Sequence, residues 1–243
     1  MLGFPDQSRI RRRQCLEIAN RTNDPFFQAQ AKAFGADIDY YCGEVGIVDQ
    51  RTTEVQNLLS AMLSAHPQLI GWTRMLAGWV RGARGQSREA LNLIRDGYDV
   101  ILASRNRIAM PIFGCLMTNA LIEVGRPSEG LLIVDQHLTM AEETGQHYSD
   151  SELYRLRGEL LLACEDRDEG AARECFHIAL DIARRQAAKS WELRATMSLA
   201  RLHAKQGQRK EPHNLLAEIY NWFTEGFDTA DLKDAKALLD QLG

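Results

Sequence analysis

A turn of the form Gly-x-x-x-x-(small) returns about every 40 residues between amphipathic helical patterns, and this recurrence restricts the fold more than any other feature of the chain. It reads Gly3-Phe4-Pro5-Asp6, Gly43-Glu44-Val45-Gly46, Gly85-Gln86-Ser87-Arg88-Glu89-Ala90, Gly125-Arg126-Pro127-Ser128-Glu129-Gly130 and Gly207-Gln208-Arg209-Lys210-Glu211-Pro212. Glu165-Asp166-Arg167-Asp168-Glu169 is a degenerate copy between the last two, so the steps are 40, 42, 40, 41 and 41 residues. Self-similarity at such a period marks stacked helical hairpins, each burying its apolar face only against its neighbours. The expectation is an all-α, right-handed α-α superhelix: a solenoid of about six hairpins closed by a C-terminal capping helix.

Helical spacing of the apolar residues divides 1–243 into one repeat domain. Residues 1–24 read as a half repeat, the second helix of a hairpin, opened by Pro5 and Asp6 with Ile10, Cys15 (or Gln14), Leu16 and Ile18 on its apolar side. Nothing upstream covers that side, so the chain is expected either to be part of a longer protein or to self-associate through 1–24. Hairpins are expected over 25–65, 66–105, 106–145, 149–187 and 188–226, and a cap over 228–242 in which Leu232, Ala235, Leu238, Leu239 and Leu242 alternate with charge. Ser149-x-x-Glu152 matches a capping box, with serine and glutamate satisfying orphan amides at a helix start.

Several function classes lose support. No apolar run is long enough to span a bilayer, and no charged segment followed by an apolar stretch marks a secretory signal, so the expected compartment is the cytoplasm. Cys15, Cys42, Cys115, Cys164 and Cys175 are odd in number and form no C-x-x-C pair, which reads as buried thiols rather than a disulfide framework. Net charge is −4 overall, but 142–170 carry nine acidic and three basic side chains while 171–210 carry nine basic and three acidic. That polarity either steers a charged partner or reflects solvated faces. Arg9, Arg11, Arg12 and Arg13 spread around more than half a helix and read as solvated rather than as a nucleic-acid site.

The motifs of catalysis are missing as well. Gly78 to Ser87 supplies glycines without the lysine of a phosphate-binding loop. Asp166 to Gly170 begins like a calcium loop, but Gly170, Ala171 and His177 stand where an oxygen ligand, a glycine and a glutamate are required. His66, His137, His147, His177, His203 and His213 show no zinc spacing, and no G-x-S-x-G elbow occurs. The expectation is a non-enzyme with no cofactor and no metal.

Tyr154-x-x-x-Gly158 with Ala172-x-x-x-Phe176-x-x-Ala179, and less fully Gly78 with Ala90, Ile94 and Gly97, resemble the tetratricopeptide repeat, in a form longer than the usual 34 residues. The stretches 152–162, 187–195 and 222–239 further resemble the C-terminal region of bacterial adenylate or guanylate cyclase-like proteins that carry an AAA-type ATPase. None of the cyclase or ATPase domains lies in this chain. In tetratricopeptide arrays the first helix of each hairpin lines the concave face, so the resemblance places Trp72, Met75, Trp79, Glu152, Arg155, Glu159, Arg194, Met197 and Arg201 in a groove for a protein or peptide. The tryptophans can equally be inter-helix core, and their exposure distinguishes the two. The implied role is a protein-interaction scaffold, the sensor or regulatory end of a signalling cyclase or ATPase. The alternative is a small-ligand sensor resembling the repeat domains of maltose-type transcriptional regulators.

Overall fold

The computed structural model describes residues 1–62, 66–105 and 110–243; the hairpin boundaries expected at 65 and 106 fall outside them. Among the described residues there are twelve α-helices, a 3-10 turn at His147–Ser149 and no strand. The helices are α1 (Pro5–Arg21), α2 (Pro25–Cys42), α3 (Val45–Ser60), α4 (Pro67–Ala83), α5 (Ser87–Ala103), α6 (Met110–Glu123), α7 (Pro127–Thr144), α8 (Asp150–Ala163), α9 (Glu169–Arg185), α10 (Lys189–Lys205), α11 (Lys210–Trp222) and α12 (Ala230–Leu242). Their contacts gather into two compact units: Pro5–Ile108, and Met1–Phe4 with Ala109–Gly243. We call them the five-helix and seven-helix units.

The recurrent glycine has one conformational task. Gly43, Gly85, Gly125 and Gly207 follow the first helix of a hairpin with φ between 69° and 81°, the left-handed region that ends a helix and that other residues enter at a cost. In the degenerate copy the task passes to a different device. Cys164 turns the chain extended, and Asp168 starts α9 by accepting from the Ala171 amide at 2.8 Å.

In the five-helix unit α4 and α5 approach until backbone meets backbone. A Cβ on Gly71 would stand 2.4 Å from the Gly97 carbonyl oxygen, and one on Gly97 would stand 2.5 Å from that of Gly71. Helix α1 is held by charge. Asp39, fully buried on α2, is clamped between Arg12 of α1 and Arg51 of α3, the latter at 2.6 Å. Arg9 reaches Glu44 at 2.6 Å. Of the basic run expected to be solvated, Arg9 and Arg12 are therefore ion-pair anchors, and only Arg11 and Arg13 remain exposed. Burial lowers the guanidinium pKa of both Arg12 and Arg51, with Glu44 acting against it at each.

In the seven-helix unit Gly158 leaves room for Phe176, whose ring would lie 2.4 Å from a Cβ there. The tetratricopeptide-like glycine and aromatic are thus two halves of one contact between α8 and α9. Gly114 of α6 does the same for His137 of α7, which is fully buried. Helix α12 buries Leu232, Ala235, Leu238 and Leu242 against Leu193, Met197, Leu216 and Ile219, and keeps Lys233, Asp234 and Lys236 in solvent.

Burial pushes the His137 imidazole down to about 4, which has a consequence for acid stability. The unfolded chain, near 6.5, takes up the proton first, so the contribution is complete above that value and is lost as pH falls towards 4. Urea unfolding should show a loss of about 2 kcal/mol between pH 7 and pH 5 from this group. A His137→Asn chain should not show that increment; an equal pH slope in both chains refutes the assignment.

Two local expectations are corrected. Ser149 ends the 3-10 turn at φ −103°, ψ 1° and makes no capping bond, and the glutamate half of the box is turned elsewhere. Glu152 is drawn into an arginine pair, while Ser151 donates to the Ala179 carbonyl at 2.9 Å. Of the thiols, Cys42, Cys115 and Cys175 are buried, Cys164 is partly so, and Cys15 is exposed on the open side of α1.

Candidate interaction surfaces on the first-position helices

Helix α2 carries Phe34, Asp37, Tyr40 and Tyr41 at spacings that share a face, and α4 sets Trp72 and Trp79 beside them. Phe34 meets Trp72 edge to face at 4.8 Å and 85°, and Tyr40 meets Trp79 at 5.0 Å and 89°. Tyr41 adds a third ring 5.0 Å from Tyr40. Between the two pairs the Trp72 indole N–H donates to the Asp37 carboxylate, whose pKa burial raises to about 7. Edge-to-face packing fixes each ring, so this is a stiff aromatic row with a single carboxylate in its middle.

The tryptophans fall between the two readings of them. Both are half-buried. Trp72 rests its inner edge on the cluster of Ala29, Ala33, Val55 and Leu69, while Phe34 beside it is 50% exposed. Met75 does not line the surface. It turns towards α5, where it lies fully buried against Gly97.

In the seven-helix unit the charged candidates come together as a closed network. Glu152 of α8 is buried and takes a two-point bond from Arg155, at 2.9 and 2.8 Å. Arg194 of α10 reaches the same carboxylate at 3.3 Å and Asp231 of α12 at 2.7 Å. Arg155 also faces Glu159 at 3.6 Å, and Glu159 accepts from Ser198 at 2.6 Å. Burial is the largest influence on Glu152 and raises its pKa, but Arg155 and Arg194 together outweigh it and hold the group below the usual carboxylate range. Of the remaining candidates, Met197 is buried in the core with α12, and Arg201 is exposed.

Two hollows lie among the described residues. One, of about 580 Å³, lies between α1 and α2 over Cys15, Ile18, Phe27, Ala31 and Phe34. The other, of about 540 Å³, has a mixed lining in which Leu138, Ile178 and Ile182 stand beside His147, Asp150 and Arg185. There His147 and Asp150 pair at 2.8 Å. Among the described residues no three His, Cys, Asp or Glu side chains gather as a metal site, and no helix is long and apolar enough to cross a membrane.

Sequence reasoning found Trp72, Trp79 and the four networked charges on α8 and α10, but missed Asp37, Tyr40, Ser198 and Asp231. For Asp37 a signal existed, since α2 repeats on Phe34, Asp37 and Tyr41 the spacing that singled out Trp72 and Trp79.

No protein-family model matches the chain. An uncharacterized protein of Rhizobium meliloti (strain 1021) is 24% identical over 181 residues, which is 74% of this chain and 18% of that relative; the chain thus spans less than a fifth of its relative's length. Among solved structures, BtubC (BKLC) of P. vanneervenii aligns with a TM-score of 0.61 at 12% identity, covering 98% of this chain and 89% of the other. A kinesin light chain protein of Podosopora anserina with nearly identical TPR-like repeats aligns at 0.55 with 18% identity, over 81% and 95%. The fold is therefore that of the TPR-like helical-repeat proteins. None of these relatives links the chain to a cyclase or an AAA-type ATPase.

Proposed function

We propose that this chain is a non-catalytic scaffold that binds a protein segment across α2 and α4, with the aromatic row as its anchor. The observation that carries the reading is the row itself. Large rings, rigid and partly exposed, give contact area at small entropic cost and are the residue types in which binding energy concentrates. Asp37 supplies one acidic point among apolar ones, which fits a segment presenting a basic residue between hydrophobic neighbours. The charged wall of α8, α10 and α12 is the weaker candidate, because its carboxylates are already answered by its own arginines. In this reading Arg201 is the charge there that is left facing solvent.

At the level of the cell we propose a sensor or regulatory region of a larger bacterial signalling protein, a cyclase or ATPase. Two things support it: the resemblance of 152–162, 187–195 and 222–239, and a relative of which the matched stretch is less than a fifth. Small-ligand sensing, the other class, draws support from the hollow beside His147 and Asp150, where apolar and polar groups meet.

Selection of a displayed peptide library on the full chain tests the scaffold reading. Enriched peptides should lose at least ~10-fold in affinity on Trp72→Ala or Trp79→Ala, the scale of a truncated interface anchor, and little on Arg201→Ala. Failure to enrich any sequence, or enrichment indifferent to both tryptophans, overturns it.

A further inference from the structure

The first four residues are bound as a ligand is bound. Within the seven-helix unit, Met1–Phe4 lie across the start of α10 and the end of α11. The Ser190 amide donates to the Met1 carbonyl at 3.0 Å. That amide is one of the donors at a helix start that have no intrahelical acceptor, and Ala188, at the capping position, brings no side chain to it. The tetrapeptide therefore supplies a cap that the helix lacks.

Gly3 fits as closely and Phe4 packs from outside, while Met1 and Leu2 stay 44% and 60% exposed. Phe4 packs edge-on to Trp222 at 5.4 Å, Trp222 stands against Phe223 at 5.3 Å and 88°, and the Lys189 ammonium lies 5.5 Å above the Trp222 ring. Gly3 is buried, with φ +94°. A Cβ there would meet Trp222 at 2.6 Å, the Lys189 Cβ at 2.9 Å and Phe223 at 3.2 Å. Both the backbone conformation and the space thus demand glycine. At the matching turns Gly85, Gly125 and Gly207 a Cβ would meet nothing within 4 Å, so the tight seat of Gly3 is not a general property of the repeat turn.

We propose that the notch formed by Lys189, Ser190, Trp222 and Phe223 is a peptide-binding site, held in this structure by the chain's own Met1–Phe4. Its partner is an extended segment of the pattern x-x-Gly-aromatic. The backbone carbonyl two residues before the glycine caps α10, the glycine passes under Trp222, and the aromatic residue stacks on its edge. A partner segment enters by displacing the resident one. Its test reads Trp222 and does not depend on the reading of the aromatic row.

The test follows the Trp222 indole N–H by NMR, assigned with Trp222→Phe, in the full chain and in Gly3→Val. The valine is strained at φ +94° and collides with Trp222, so the segment should leave. The Trp222 resonance should shift, and amide exchange over residues 2–4 should lose its protection. Synthetic Met-Leu-Gly-Phe amide should then return the resonance towards its original position at millimolar concentrations, and Met-Leu-Val-Phe amide should not. On the unmodified chain the glycine peptide should bind at least ~10-fold more weakly, because the resident segment competes at a high effective concentration. A chain with residues 1–4 deleted repeats the titration if Gly3→Val folds poorly. The proposal is overturned if Trp222 is unmoved by both changes, or if the emptied notch accepts neither peptide or both equally.

Discussion

Asp39→Ala should cost the protein about 3–5 kcal/mol, the scale on which a buried ion pair broken on one side penalises a fold. Asp39 is fully buried with Arg12 and Arg51 on either side of it. Removing the carboxylate leaves two guanidiniums in a place that already disfavours their charge. It also leaves α1 with Glu44 as its remaining charge tie, and the apolar contribution of α1 is small, Ala19 being its single buried residue. Urea unfolding should show a lower midpoint, and α1 should lose amide protection before the rest of the five-helix unit. The asymmetry of buried pairs gives a sharper check. A triple change, Asp39→Leu with Arg12→Met and Arg51→Met, removes all three charges together and should recover a large part of the loss. A single variant that loses less than about 1 kcal/mol would place Asp39 among ordinary surface pairs.

Glu152→Ala is the corresponding change in the seven-helix unit, with an expected loss of about 3 kcal/mol, at the lower end of the range for a broken buried pair. The reason for the lower figure is the network around it. Arg194 keeps Asp231 at 2.7 Å and Arg155 keeps Glu159 at 3.6 Å, so neither cation is abandoned. What is lost is the shared acceptor between α8 and α10. Replacing Asp231 by Ala in the same chain should then cost more than it does alone, because Arg194 has lost its first carboxylate; the double-mutant cycle measures that coupling. Additive losses would show that the two carboxylates act independently.

How much of this was legible in the sequence depends on the distance over which each feature is decided. The hairpins were readable because both of their signals are local: helical spacing of apolar residues and a glycine where the chain reverses. The pairing of Gly158 with Phe176 was readable as a motif, and its physical content is one ring filling one missing Cβ. Arg9 and Arg12 were misread because their partners, Asp39 and Glu44, lie on the far side of the next helix. A charge run looks the same whether it faces water or a buried carboxylate. Met75 and Met197 fell in the right heptads but turned inward, since one residue of drift rotates a helical position by 100°. Asp231 went unnoticed because a capping helix was expected to be polar for solubility alone. The Met1–Phe4 seat had no signal at all: a carbonyl capping a helix from across the chain leaves no trace in residue type.

The turns after α4, α6 and α10 have one further implication. At Gly85, Gly125 and Gly207 the backbone is bent into a left-handed conformation, yet nothing stands within 4 Å of where a side chain would be. Shape is demanded there and space is not. These loops can therefore be lengthened, tagged or joined to another protein so long as the bend is preserved, and neither the aromatic row nor the charged network would feel the addition. In a repeat array these are the seams at which new parts can be sewn in while the packed helices between them stay as they are.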